Sequence, residues 1–137
     1  MDAVLLIGRV LFAAIFIYSG ITHIAKTQAL AEYVAYKKVP AAKLVVIVSG
    51  LMISVGGLYI ACGVYADLGA LLIAIFLVPK ALKMHAFWKE SDVTTKQSER
   101  THFLKDISLS GAALIIFALV GSGADIGPTI TGAFFNF

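Results

Sequence analysis

At 137 residues the chain has room for one domain. Its residues are 60% apolar and only 14% charged, against roughly 45–50% and ~25% for a soluble domain. The net charge of +3 gives no reason to expect nucleic acid as a partner, and one cysteine, Cys62, excludes an intramolecular disulfide and a self-contained thiol–disulfide catalyst.

The apolar excess collects in four runs, each near the ~17–25 residues that cross a bilayer as a helix and each apolar on nearly every face. The first spans 4–24. It follows Met1-Asp2, an acidic rather than basic start, and exceeds the ~7–15 residues of a signal core, so a retained helix is expected. Gly8, Ala13, Ala14 and Gly20 let a neighbouring helix approach closely. Ser19 and His23, four apart, share a face near its end. Arg9 falls about 8 Å into the membrane, where a cation must snorkel or pair.

The connection 26–42 is more than loop. Leu30, Tyr33, Val34 and Lys37 recur at helical spacing, which predicts a short interfacial helix that Pro40 ends. The second span, 43–63, carries Gly50, Ser54, Gly56, Gly57 and Gly63, and the face of Gly50 and Gly57 predicts tight packing on the first or third helix. Cys62, near its end, reads as a small buried apolar residue.

The third run, 66–82, predicts a helix reaching about 88. Asp67 opens it against the helix dipole, and Pro79 should kink it just before Lys80. A polar hairpin, 89–104, leads to the fourth span at 104–123. Its Asp92/Lys96 and His102/Asp106 spacings suit a solvated helix extending that span, and the second pair would orient the His102 imidazole. The tail from Asp125 is too short and broken to span, and its three phenylalanines are expected on the interface. The fold expected is therefore all-α, one domain over 1–137: an integral membrane bundle of four helices plus one interfacial helix after the first span.

Ten of the eleven cations flank the first and third connections, Arg9 being the exception. By the positive-inside bias both connections are expected in the cytoplasm and both termini outside.

Several stretches carry a family likeness. Arg9 lies early, Ser19-Gly20 near the end of the first helix, and "GLMISVGGLYIACG" at 50–63 in the second. "HAFW" at 85–88 and "FLKDISLSGAAL" at 103–114 flank the hairpin. Together they resemble the DoxX family over most of the chain. Two departures stand out: Met52-Ile-Ser-Val precedes Gly56-Gly57 where relatives often carry an acid, and Asp106 replaces a usual Asn. The resemblance implies a subunit of the bacterial cytoplasmic membrane, in some relatives tied to quinone-coupled thiosulfate oxidation or other redox assemblies. A mechanism that needs a carboxylate in the second helix is not expected here.

Three histidines, His23, His85 and His102, fall near the basic boundary. They suggest a metal or haem site, but no helix pairs them at i, i+4 and no further ligands complete a shell. A quinone headgroup needs a flat apolar slot and one or two donors. His85, Phe87, Trp88 and His102, with Lys80 or Lys83 nearby as a cation, offer them; the competing reading is an aromatic belt marking membrane depth. Arg9 and Asp67 form the expected intramembrane charge pair. The hairpin's Lys89, Glu90, Asp92, Lys96, Glu99 and Arg100 form a candidate docking face. The leading expectation is an anchoring or organising subunit of a redox-related complex or a homo-oligomer in the lipid bilayer, without catalysis of its own. A quinone or quinol-binding subunit comes next. A transporter is the weakest reading, since no broken helix pair or charged pore lining is visible.

Overall fold

The computed structural model describes residues 1–137 and contains helices only. They are α1 (Asp2–Ala25), α2 (Thr27–Tyr36), α3 (Ala42–Cys62), α4 (Ala66–Met84) and α5 (Val93–Gly121), with a 3-10 turn at Phe87–Lys89. All but α2 are long and apolar enough to cross a membrane. They pack in chain order, α1 on α3, α3 on α4 and α4 on α5, while the short α2 lies against α3. Both termini lie at one end of the bundle, here the tail end; α2 and the start of α5 mark the other, the basic end.

Lipid tails are as apolar as leucine, so burial of hydrocarbon cannot hold such helices together and close packing must. The interior accordingly uses small residues, Ala13, Ala70, Ala74, Ala81 and Ala113, among Phe16, Ile53, Ile60, Ile73 and Leu77. Ile7, Leu11, Ile21, Leu51 and Ile115 face outward.

The α3 glycines work on two sides. A Cβ at Gly50 would stand 2.6 Å from His23 Cβ, and one at Gly57 would stand 2.9 Å from Ile17, so the expected tight face packs on α1. Gly56 faces α4, where a Cβ would meet the Gly69 carbonyl oxygen at 2.8 Å.

Two expectations need correction, the end of the third span and the burial of Cys62, while the hairpin is helical as its spacing suggests. The third span stops at Met84, and the chain reverses through 85–92, where Phe87 and Trp88 pack edge-on against Phe103 at 5.5 and 5.6 Å. The fourth helix starts at Val93, capped by Asp92, whose carboxylate accepts from the Thr95 amide at 2.8 Å and hydroxyl at 2.9 Å. Those bonds, the amide's above all, hold the Asp92 carboxyl below the usual carboxylate range. At 29 residues α5 measures about 43 Å, more than the ~30 Å of hydrocarbon, so its first turns project beyond the bilayer. Cys62 is exposed rather than buried.

The tail is a strap rather than a loose interfacial segment. Ile130 and Thr131 amides donate to the Gly63 carbonyl at 3.0 and 3.1 Å, and the Phe137 amide donates to Gly121. Gly63 ends α3 in the left-handed region (φ +66°), with the Val64 amide bonded back to Tyr59, a turn that aims its free carbonyl at the strap. Phe135 and Phe137 pack against Phe117.

Candidate functional site

Where α2 crosses the basic end of α3 and α4 it roofs a cavity of about 520 Å³. From α2 come Leu30, Tyr33 and Val34, the face its spacing predicts; Val46 and Met52 of α3 and Ile75 and Phe76 of α4 complete an apolar wall. Six basic side chains also line it: His23, Lys80, Lys83, His85, His102 and Lys105. The volume lies inside the roughly 300–1,000 Å³ range of small-molecule sites.

Each polar group has a local reason for its place. His23 approaches α3 over Gly50, and its Nδ1 lies 3.1 Å from Ser49 Oγ and 3.3 Å from the Val46 carbonyl. His85 follows the last turn of α4. Its Nδ1 lies 2.9 Å from Glu99 Oε2 and its Nε2 3.6 Å from Asp106 Oδ2, while its ring stacks on His102 at 5.1 Å. Lys80 Nζ donates to Asp106 Oδ2 at 2.8 Å, and that carboxylate is almost wholly buried. Glu99, His85, Asp106 and Lys80 thus form one chain of charged and polar contacts joining α4 to α5. Burial first, and then the Glu99 charge, pushes the Tyr33 phenol up, so it stays a donor. A second cavity of about 200 Å³ opens between α1 and α4–α5 beside Tyr18, Ser19 and Thr22; Lys80 and Lys105 line both.

The structure therefore brings His23, Lys80, His85 and His102 into one cavity. It leaves out Phe87 and Trp88, whose rings belong to the aromatic cluster with Phe103. No group of three metal-ligating side chains converges. His102 does not pair with Asp106, whose carboxylate is taken by Lys80 and faces His85 instead.

The docking face shrinks. Glu99 turns inward to His85, Glu90 lies 3.6 Å from Lys37, and Asp92 caps α5. Lys89, Lys96 and Arg100 remain exposed. Sequence reasoning missed Lys105 and the α2 wall. The signal was there in Leu30/Val34, which need an apolar neighbour, and in Lys105 next to Asp106.

The expected Arg9–Asp67 pair does not form. Arg9 Nη2 donates to the Pro128 carbonyl, and its Nε and Nη1 have no partner. Asp67, fully buried, accepts from the Phe134 and Phe135 amides at 2.9 and 2.6 Å. Each charge holds the tail instead of the other.

The family model described as DoxX matches residues 4–86, which takes in α1–α4 and His85 but not α5 or the tail. No curated protein matches the chain, and neither does any solved structure.

Proposed function

The chain belongs to the DoxX family and is a multi-pass membrane protein, and we propose that it acts as a binding subunit whose basic-end cavity receives the oxygen-bearing head of a membrane-borne amphiphile. The observation that carries this reading is the convergence of His23, His85, His102 and three lysines on an apolar cavity of about 520 Å³. Donors grouped at one end and hydrocarbon along the wall match a molecule with acceptor oxygens and an apolar body. Quinones belong to that class, and the exposed lysine and arginine of the α5 extension suit docking to a redox partner.

The experiment is recovery from native membranes, with partner proteins and extracted amphiphiles measured on the same sample. Wild type is expected to carry a co-extracted amphiphile. His85→Ala/His102→Ala should lose it at matched expression, and Lys96→Glu/Arg100→Glu should lose partner protein in a salt-sensitive way while keeping the amphiphile. Retention of the amphiphile by the histidine variant would sink the cavity reading; unchanged partner recovery in the charge-reversed variant would sink docking.

The cation bias supports placing the basic end in the bacterial cytoplasm and the tail end outside. Cysteines introduced as Ser98→Cys and Asn136→Cys, on a Cys62→Ser background, should react oppositely with an impermeant thiol reagent in intact cells. Labelling of Ser98→Cys from outside would reverse the orientation.

A further inference from the structure

The cavity lining contains no carboxylate. Its three lysines are nonetheless not equivalent. Lys80 is matched by Asp106 at 2.8 Å, and His85 by Glu99 at 2.9 Å, both partners standing behind the wall rather than in it. Lys83 and Lys105 have no carboxylate within 4.0 Å, so two uncompensated charges from α4 and α5 stand at one end of an apolar chamber. Both side chains are exposed at the chamber mouth, and a neutral head would offer neither an ionic partner. An anionic head would pair with them through charge-assisted hydrogen bonds, about twice as strong as neutral ones.

We infer that the occupant of this cavity is an acidic amphiphile, an acyl chain carrying a carboxylate or phosphate head that Lys83 and Lys105 hold while the chain lies along Met52, Ile75 and Val34. The inference rests on the amphiphile reading above and names its ligand class. Carboxylate and phosphate heads share the chemistry, and the measurement separates them. The paired Lys80–Asp106 contact forms the back of the site and keeps the charge facing the ligand positive.

The test uses the full chain, purified in nonionic detergent and stripped of lipid, with equilibrium binding of oleic acid, lysophosphatidic acid, methyl oleate and a short-chain ubiquinone at pH 8. One or both acids should bind at least about tenfold tighter than the ester and the quinone, and the tighter acid identifies the head. Lys83→Gln/Lys105→Gln should abolish that preference by weakening acid binding far more than ester binding, and Lys83→Arg/Lys105→Arg should restore it. Both lysines are exposed, so the fold should survive; thermal unfolding checks this. Met52→Trp, which fills the chamber, should weaken every ligand. Equal binding of acid and ester, or preference for the quinone, overturns the acidic class and leaves the amphiphile reading standing. Acid binding that ignores Met52→Trp overturns the inference by placing the lipid on the outer surface. No binding by any of the four overturns both.

Discussion

Asp106→Ala is expected to lower stability by about 3 kcal/mol, the lower end of what breaking a buried pair costs. The carboxylate is 1% exposed and receives Lys80, with His85 Nε2 at 3.6 Å, so its removal strips the α4–α5 seam of its shared acceptor. Lys80 is 28% exposed and can swing toward water, which keeps the loss from the top of the range. Lys80→Met/Asp106→Leu should recover most of it, because an apolar pair of similar size leaves no charge behind. Thermal unfolding in detergent for both single changes and the double reads the coupling. Strictly additive losses would show that the two side chains act separately.

Asp67→Ala should be comparably severe by a different route. Two backbone amides donate to this carboxylate, each bond to a charged group being worth about 1.5–3 kcal/mol. Freed amides can find water, so the net loss is expected near 3 kcal/mol, accompanied by protease cleavage within residues 127–137. Arg9→Leu removes the Pro128 anchor and should open the same segment. Because either change releases one strap, the double variant should lose less than the sum. Limited proteolysis with mass spectrometry follows the cleavage. A tail that stays protected in Asp67→Ala would show that the amide bonds do not hold it.

These outcomes also mark what the sequence made legible. The spans were readable because a bilayer imposes length and composition on any helix that crosses it. The α1–α3 contact was readable because Gly50 and Gly57 repeat on one face. His23, Lys80, His85 and His102 line one cavity because topology alone brings those segment ends to one boundary. Pairing was harder. Arg9 and Asp67 look complementary as charges, yet each bonds backbone groups of a segment whose own sequence, Gly-Pro-Thr-Ile-Thr-Gly-Ala-Phe-Phe, shows no sign of docking. Phe87 and Trp88 read as a ligand slot because an aromatic pair beside a histidine has no directional signature. Only the reversal of the chain before α5 turns them toward Phe103. Asp106 was assigned to His102 by local spacing, and a lysine one helix away outcompetes it.

The strap sets an order of events during synthesis. Asp67 and Arg9 enter the membrane long before residues 128–135 have been made, and each depends on that segment for its hydrogen-bond partner. Until then one carboxylate and one guanidinium sit at the edge of hydrocarbon, where a charged group is costly. The bundle is thus provisional while α5 is being inserted, and the segment that follows α5 is what makes α1, α3 and α4 final. Damage to residues 128–135 is consequently a fault of assembly and membrane quality control, felt as lost protein, and leaves the cavity at the opposite end unaltered in whatever fraction matures.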